Sequence, residues 1–493
     1  MRFACHIQVL LFPLYCGMLL PFEHCNAQVA FELDPGFRTN FPRAGVSSAI
    51  SLDDGSVIIA GQFEDPDPWG SDRALLHLFA NGIEDPNFPI EVPGGKLIRA
   101  DTVFYSAYGY VARAYLNGRQ DTTFNMYDGS TGSLYIPGDV LDYMVFPDGR
   151  ILLSGDGFVH HPEFGNLGLF NLIWFKANGQ LDYTRTNRRA NGATYEFAEL
   201  PDGKFIVTCN CTIYDGLPSR HIFRIHSDGA PDLSFDTQVT EGFAYSYLPL
   251  PDGRVYVGGK FVVPGLAGSQ SLVRFLPDGS LDFGFTPPYF SKGELTSGPF
   301  VEQIKELAPN RILVMGEFRQ VNQQDRGGIC MLDSTGALLP DFDDAGCGTF
   351  TDFSTFGSIH GMERTVGNKF FLYGAYHGFN DGVTNDTTQR LISRFHAGDL
   401  FTDVEEQVVA SANFSVFPNP SSGHVTFTYE LERPGKDSNV VVRDLFGRTV
   451  VQLPMKNNEG QVEFDTRALV SGLYTVSFTQ AGKNLQVENL VVE

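Results

Sequence analysis

A short turn motif, Pro-Asp-Gly followed by a run of β-branched and aromatic residues, recurs along this chain. Its clearest copies begin at Pro147, Pro201 and Pro251. Pro presets a turn dihedral, Asp hydrogen-bonds its own backbone, and Gly adopts a left-handed conformation without a Cβ clash. Each copy therefore predicts a β-hairpin. The turn residues that we single out are Asp54, Gly55, Asp148, Gly149, Asp202, Gly203, Asp252 and Gly253.

Weaker copies bring the number of units to seven. They lie at Asp53-Asp54-Gly55, Tyr108-Gly109, Pro309-Asn310 and Gly367-Asn368. A second turn follows each copy, and several copies continue as Asp-x-x-Phe, for example Asp232 to Phe235. Two hairpins per unit give four strands, and no helical period lies between them. The repeats therefore predict an all-β fold, a seven-bladed β-propeller over residues 28–398.

Two irregularities affect the ends and the middle of this propeller. In the second unit Gly109 and Gly118 are too close for a middle hairpin, so a six-bladed ring with an irregular insert stays open as an alternative. The segment from Asp34 to Phe37 precedes every unit and carries the Asp-x-x-Phe pattern that the last unit lacks. We therefore expect residues near 30–38 to complete the last blade and close the ring.

The repeats at 147–158, 201–235 and 251–285 resemble a known family. This is the delta-sixty repeat of bacterial secreted proteins, whose pattern is Pro-Asp-Gly-Lys-hydrophobic-Gly-Gly followed by Asp-Gly-x-Leu-Asp-x-x-Phe. The resemblance covers residues 30–400 and implies a propeller. It supplies no reaction.

The first 27 residues have the organisation of an export signal. Arg2 precedes an apolar stretch from Val9 to Leu20, which is too short for a membrane-spanning helix, and polar residues follow. We predict cleavage after Ala27, or one residue later. No second apolar run of that length occurs, so we expect no integral membrane segment in the mature chain.

Residues 413–493 have a different sequence pattern, in which apolar and polar residues alternate. Seven such strands fit there, which predicts a small immunoglobulin-like β-sandwich. The stretch 399–412 holds Asp399, Asp403, Glu405 and Glu406 and no basic residue. It predicts a solvated acidic linker between the two parts.

The tail also carries motifs of a second family. Their residues are Pro418, Asn419, Pro420, Gly423, Asp444, Gly447, Arg448, Gly472 and Tyr474. In order and spacing they resemble the type A C-terminal sorting domain of type IX secretion substrates in Bacteroidetes. The resemblance implies the type IX secretion machinery and a surface sortase as partners. It also implies a protein that is secreted or held at the outer-membrane surface.

The charge balance argues against two classes of partner. The chain has 35 Lys plus Arg and 58 Asp plus Glu, which gives a formal net charge of −23. A nucleic-acid backbone needs a basic face, so we expect no nucleic-acid partner. Charge-driven binding to an anionic membrane surface is excluded for the same reason.

Four cysteines remain once the signal is removed: Cys209, Cys211, Cys330 and Cys347. An oxidising compartment permits disulfides, and four cysteines allow three pairings. Cys209 and Cys211 are two apart on a predicted strand and so point the same way. We predict a Cys330–Cys347 disulfide, with four buried free thiols as the alternative.

Catalytic and metal-binding motifs are scarce. We find no Gly-x-Ser-x-Gly elbow, no His-Glu-x-x-His and no phosphate loop. His160 and His161 are neighbours on a strand and face opposite ways, which disfavours a shared metal. Two loops are rich in oxygen ligands that suit Ca²⁺ and equally suit turns. They contain Asp65, Asp67 and Asp72, and Asn380, Asp381, Asn385 and Asp386.

The sequence therefore predicts no catalytic residue, no cofactor and no resident metal, with Ca²⁺ in the two loops left open. The leading hypothesis is a secreted or cell-surface propeller without catalytic activity that binds a glycan or a protein. One alternative is a hydrolase or lyase that acts on polysaccharide with acids near a central channel. Another is a purely structural surface component.

Overall fold

A computed structural model of the chain describes residues 31–39, 41, 44–63, 73–126, 138–161, 165–293, 298–339, 345–348, 357–398, 413–430, 438–443, 449–455, 459–480 and 483–492. Within these ranges the protein is all-β, as predicted, and no helix is long and apolar enough to cross a membrane. The chain forms two compact units, residues 1–401 and 402–493. Ala27 and the acidic stretch 399–412 lie outside the described residues.

The described part of the first unit forms seven main antiparallel sheets in chain order. Their strands are Ala44–Ser51, Val57–Phe63 and Arg73–Leu78 (first); Lys96–Ala100, Val103–Ala107 and Val111–Tyr115 (second); Gly138–Val145, Ile151–His161 and Gly165–Phe175 (third); Thr194–Glu199, Phe205–Cys209 and Ile222–Ile225 (fourth); Glu241–Pro249, Val255–Val262 and Ser269–Phe275 (fifth); Phe300–Ala308, Arg311–Glu317 and Ile329–Leu332 (sixth); and Ser358–Thr365, Lys369–Asp381 and Asn385–His396, with Glu32–Leu33 and Ala345–Cys347 (seventh). Short accessory strands are Ile213–Tyr214, Leu217–Pro218, Phe290–Ser291, Gln320–Val321 and Gln324–Asp325.

The fourth strand that each repeat predicts is much reduced. In the first six sheets it is reduced to one or two isolated β-bridges beyond the third strand, such as Leu78 to Glu84 or Phe275 to Leu281. The reason is that the chain turns at once into the Asp-x-x-Phe segment, whose side chains take part in contacts described below.

Both faces of each sheet are buried. On the middle strand of the first sheet, Val57 and Ile59 share a core with Phe371 of the seventh sheet. The alternate residue Ile58 shares a core with Phe104 of the second sheet. Successive side chains of a strand point to opposite faces, so one strand serves two cores. Equivalent cores lie between all other consecutive sheets, so each sheet packs on the next and the seventh packs on the first.

The N-terminal segment joins the last sheet, as the sequence predicts. Glu32 pairs with His396 and Leu33 with Phe395, both on the last strand of the seventh sheet. Without this segment the outer edge of that strand would expose unpaired backbone groups.

The Asp-x-x-Phe motif forms a recurring contact that we call the Arg–Asp–Phe latch. In the seventh sheet Arg394 donates through Nε to the Asp34 carboxylate at 2.7 Å, and its guanidinium lies 5.2 Å from the Phe37 ring centroid. Arg394 also donates to the Ala80 carbonyl in the outer turn of the first sheet, at 2.6 Å. Each latch therefore joins a strand, its own outer turn and the next sheet. Further copies are Arg113 with Asp121 and Phe124, Arg224 with Asp232 and Phe235, and Arg274 with Asp282 and Phe285.

The third sheet has the latch in exchanged form. Its motif places Arg185 where the other copies have Phe, and the strand carries Trp174 where they have Arg. The Arg185 guanidinium lies 4.4 Å from the Trp174 ring centroid, so the cation–π contact is kept with the two partners swapped.

The second sheet is not incomplete, so the prediction that it lacks a hairpin is wrong. Its first turn is at Asp101-Thr102, where Asp101 holds a positive φ of 54°. Tyr108 and Gly109 form the next turn, between the second and third strands. The sequence motif points to Tyr108-Gly109 as the first turn, although that is the second one. The true first turn is not recognised because Asp101 occupies the left-handed position that Gly occupies in other copies.

The disulfide prediction is also wrong. Cys209 and Cys211 form the disulfide, with Cα atoms 5.2 Å apart, and Cys330 and Cys347 are free and buried. Strand pairing ends at Cys209, so the two residues are no longer held in extended alternation and their sulfur atoms meet. Cys330 belongs to the core between the fifth and sixth sheets, whereas Cys347 belongs to the core between the sixth and seventh.

The described part of the second unit forms two antiparallel sheets. One contains Asn413–Phe417, His424–Glu430 and Glu459–Asp465; the other contains Ser438–Arg443, Thr449–Pro454, Gly472–Gln480 and Lys483–Val492. A 3₁₀ turn, Thr466–Ala468, follows the first sheet. Val425 and Phe427 of the first sheet share one core with Val440 and Val476 of the second.

Candidate functional site

In six of the seven main sheets, the described first strand carries a β-bulge at the same place. There it has one residue more than the strand it pairs with. A bulge re-aims one side chain out of the regular alternation, and bulges of this kind occur beside functional sites. The extra residues, which we call the bulge set, are Ser47, Leu141, Tyr195, Tyr245, Glu302 and His360.

A glycine on the second strand makes room for the bulge. It comes six residues after the turn Gly or Asn and is present in five of the sheets, as Gly61, Gly155, Gly259, Gly316 and Gly374. A Cβ at Gly61, Gly259, Gly316 or Gly374 would overlap the carbonyl of the first-strand residue two before the bulge. In the fourth sheet the position is Cys209, and there the register shift spans Thr194 to Phe197.

Side chains of neighbouring sheets fix the first strands against each other. Ser48 accepts a hydrogen bond from the Leu97 amide at 3.0 Å, and Ser246 accepts one from the Ile304 amide at 3.0 Å. Between the last and first sheets, the Ser51 amide donates to Glu363 at 3.2 Å. The bulge set therefore stands on strands whose relative positions are held by hydrogen bonds, which favours a preformed site.

Glu196, which follows the bulge residue Tyr195, is a carboxyl that is hard to ionise. Burial raises its pKa well above the usual range, and the negative charge of Asp142 adds to the effect. Asp142 contacts the Lys96 amine and accepts a hydrogen bond from the Phe197 amide at 3.1 Å. Lys96 is therefore already paired with Asp142, and its positive charge offsets the increase in the pKa of Glu196 only in part.

Glu302 is the carboxyl of the bulge set. Burial raises its pKa, and the charge of His360 opposes this increase. Glu302 also acts on Glu196 and Tyr245, since its charge adds to the effect of burial in raising the pKa of each. Four members of the bulge set therefore lie close together: Tyr195, Tyr245, Glu302 and His360. Among the described residues, Glu302 has no hydrogen-bond or ion-pair partner.

Aromatic rings lie beside the two glutamates. Tyr245 is 40% exposed, and its ring centroid is 5.6 Å from that of Phe300. Tyr195, next to Glu196, meets Phe243 edge to face at 5.0 Å. Rings flanked by hydrogen-bonding groups suit a ligand with both apolar and polar surfaces. The sequence analysis missed this site, and its one local signal is the recurrent glycine of the second strand.

The predicted turn residues lie outside the bulge set. Gly55, Gly149, Gly203 and Gly253 hold φ values of 82°, 81°, 77° and 86°, between the first and second strands. The preceding Asp of each turn, at positions 54, 148, 202 and 252, accepts a hydrogen bond from the amide two residues later. These residues shape hairpins and carry no site of their own.

The tail residues that the sequence singles out are partly described. Asn419, between Pro418 and Pro420, accepts a hydrogen bond from the Val491 amide at 2.9 Å. The Gly423 carbonyl accepts one from the Thr466 amide at 2.8 Å. Gly472 begins the strand that contains Tyr474, whose hydroxyl donates to the Val470 carbonyl at 2.7 Å. Asp444, Gly447 and Arg448 lie outside the described residues.

The oxygen-rich loop of the seventh sheet uses its carboxylates within the protein. Asp381 accepts hydrogen bonds from the Leu33 and Val383 amides at 3.0 and 2.8 Å. Asp386 contacts Arg38. No group of three or more His, Cys, Asp or Glu side chains in the described ranges is placed to hold a metal ion. Asp65, Asp67 and Asp72 lie outside those ranges.

Two protein families match the chain. Residues 415–493 match the secretion system C-terminal sorting domain, and residues 200–235 and 250–285 match a β-propeller family described as a domain of unknown function, DUF5122. The chain carries DUF5122 propeller repeats and a type IX sorting tail. The predicted resemblance to propeller repeats and to a type IX sorting domain is confirmed. The sorting tail marks the chain as an exported protein.

Solved structures of low identity also align with the chain. PorZ, an essential bacterial surface component of the type-IX secretion system of Porphyromonas gingivalis, is 13% identical with a TM-score of 0.36, over 92% of this chain and 60% of PorZ. YCF48 from Cyanidioschyzon merolae is 11% identical with a TM-score of 0.35, over 74% of this chain and 98% of YCF48. No curated protein matches the chain.

Proposed function

We propose that this protein is a surface-exported β-propeller that binds its ligand at the bulge set. The observation that carries the proposal is the repeated bulge, which presents one side chain from each of six first strands. The residues so presented differ from sheet to sheet, as a specific binding site requires and as a purely structural repeat does not.

The propeller is proposed to have seven blades. Seven main sheets, the contact of the seventh with the first, and three full strands in the second sheet support this number. The first strands then line the centre of the ring, with the bulge set around its mouth. The pairing of Glu32–Leu33 with the last sheet supports closure of the ring by the N-terminal segment.

The route to the surface is proposed from the two ends of the chain. The signal is removed after Ala27, and the type IX machinery then recognises the tail, an immunoglobulin-like sandwich. A surface sortase cuts in the acidic linker at 399–412 and releases the propeller or attaches it to the outer-membrane surface. The family match of residues 415–493 supports this route.

Two experiments test the proposal. The purified full chain is screened on a glycan array and, in parallel, used as bait for surface proteins, with Tyr245→Ala beside the unchanged chain. Binding that Tyr245→Ala weakens supports the proposal; two empty screens contradict it. For export, deletion of residues 413–493 in the producing cell is expected to abolish the surface and medium pools, and normal export without the tail contradicts the proposed route.

A further inference from the structure

We infer that the ligand of the bulge set is an oligosaccharide of uncharged sugars, an inference that rests on the proposed function and narrows it. The bulge set combines an exposed ring with hydrogen-bonding groups from several strands. A sugar ring has an apolar C–H face and a rim of hydroxyls, each of which both donates and accepts a hydrogen bond. The side chains around Tyr245 match these two kinds of surface.

The apolar half of the site is the pair of Tyr245 and Phe300. Tyr245 is 40% exposed although it stands on a strand, because the bulge turns it out of the core. The Lys292 amine also lies against Phe300, 4.9 Å from the ring centroid. Lys292 is itself buried and bonded to Glu317 at 2.6 Å. The exposed tyrosine ring is therefore held in place and offers a platform on which a sugar ring can stack.

The polar half of the site is Glu302 and Ser47 of the bulge set, with Glu196 next to the bulge residue Tyr195. Glu302 has no partner among the described residues, and the exposed Ser47 hydroxyl donates to the Ala60 carbonyl at 3.2 Å and can still accept. Carboxyls donate and accept when protonated and accept only when ionised, so both forms can bind hydroxyls. His360 is already committed, since its ring nitrogens contact Ser358 at 2.9 Å and the Val46 carbonyl at 2.8 Å.

Other ligand classes fit the same residues less well. A protein partner of ordinary affinity buries about 800 Å² on each side, which one side chain per strand does not supply. An anion would meet Glu196 and Glu302. A cation would find Lys96, Lys292 and His360 near the two carboxyls. An uncharged ligand with many hydroxyls avoids these conflicts and uses the tyrosine ring.

The test is titration calorimetry of the full chain with a panel of soluble oligomers. The panel contains neutral gluco-, manno-, xylo- and chito-oligosaccharides, a uronic-acid oligomer and oligolysine. We expect a neutral oligomer to bind, with affinity that changes less than about twofold between 0.05 and 0.5 M NaCl, because no ion pair forms. Tyr245→Ala should weaken binding roughly tenfold, whereas Tyr245→Phe should keep most of it.

Two further variants test whether the loss of binding is specific to the bulge set. Glu302→Gln keeps the shape and part of the hydrogen bonding of Glu302, and we expect a loss of about threefold to tenfold. Tyr289→Ala removes a ring that is 68% exposed outside the bulge set and should leave binding unchanged. Circular dichroism and melting temperature verify that each variant is folded.

The outcomes separate this inference from the proposed function. Salt-sensitive binding of oligolysine or of the uronic-acid oligomer, lost in Tyr245→Ala, overturns the sugar assignment and leaves the bulge set as a binding site. Capture of a surface protein that is lost in Tyr245→Ala does the same. Binding that no bulge-set variant alters overturns both.

Discussion

Replacing Asp34 by Asn tests whether the N-terminal latch holds the last sheet to the first. The Asp34 carboxylate accepts hydrogen bonds from Arg394 at 2.7 Å and Lys369 at 2.9 Å, and the side chains of Asp34 and Arg394 are only 7% and 10% exposed. Removing one partner of a buried ion pair costs about 3–5 kcal/mol, because the other charge stays buried. Lys369 is more exposed, so we expect the free energy of unfolding to fall by about 3 kcal/mol.

Asp202→Asn is the matched control. Asp202 pairs with Lys204 at 3.3 Å, but its side chain is 53% exposed, and exposed pairs contribute less than about 1 kcal/mol. Both aspartates also accept a backbone hydrogen bond in their turns, from Gly36 and Lys204, which Asn retains. The two variants therefore differ in the burial of the ion pair. Denaturant unfolding of the full chain measures both costs, and equal costs would refute the latch.

The pH dependence gives a second, independent readout of the same variant. Burial opposes the charge on Asp34, but hydrogen bonds from Lys369, the Gly36 amide and Arg394 outweigh it and lower the pKa from 3.8 to about 2. A carboxyl lowered this far contributes about 2 kcal/mol above pH 4, and this is lost as the pH falls toward 2. The stability difference between the unchanged chain and Asp34→Asn should shrink over that window. A constant difference contradicts the assignment.

Further predictions concern the glycines, the glutamates and the thiols. Gly203→Ala should cost about 1 kcal/mol from its φ of 77° alone, since no atom lies near the added Cβ. Gly316→Ala should cost about 3 kcal/mol in the same melting assay and weaken ligand binding, because the Cβ overlaps the Phe300 carbonyl. Burial raises the pKa of Glu302, so its stabilising contribution at low pH is lost as the pH rises, and Glu302→Gln should gain stability relative to the unchanged chain from pH 4 to pH 8. Burial raises the pKa of Cys330 to about 12 and of Cys347 to about 11, so mass spectrometry should find neither alkylated at pH 8 until the chain is unfolded.

Local turn chemistry explains why so much of the first unit was predictable. Each Pro-Asp-Gly copy determines its backbone dihedrals and one side-chain hydrogen bond within four residues. Its turn can therefore be predicted without knowledge of the surrounding structure. The N-terminal Asp34 to Phe37 was assigned to the last sheet because it supplies the motif that sheet lacks. Where Asp101 replaces the turn glycine, the same reasoning placed the hairpin wrongly.

Long-range pairing was predicted less well, since it depends on which face of a sheet a side chain takes. Cys330 and Cys347 lie on neighbouring sheets but in different cores, which no spacing in the sequence reveals. Cys209 and Cys211 meet because strand pairing stops at Cys209. A shift of one residue in strand register, or a change of one residue in strand length, therefore decides which cysteine side chains can meet.

The bulge set shows why the candidate site itself left so little trace in the sequence. What recurs in most of the sheets is the set of features that makes the bulge: the turn, the glycine six residues later, and the strand that it pairs with. The side chains presented there, such as Leu141, Tyr245 and Glu302, have no chemistry in common. A repeat search finds what the sheets share, and a binding site is built from what they do not. Residues at the bulged positions are therefore the ones whose exchange should alter ligand choice while leaving the fold intact.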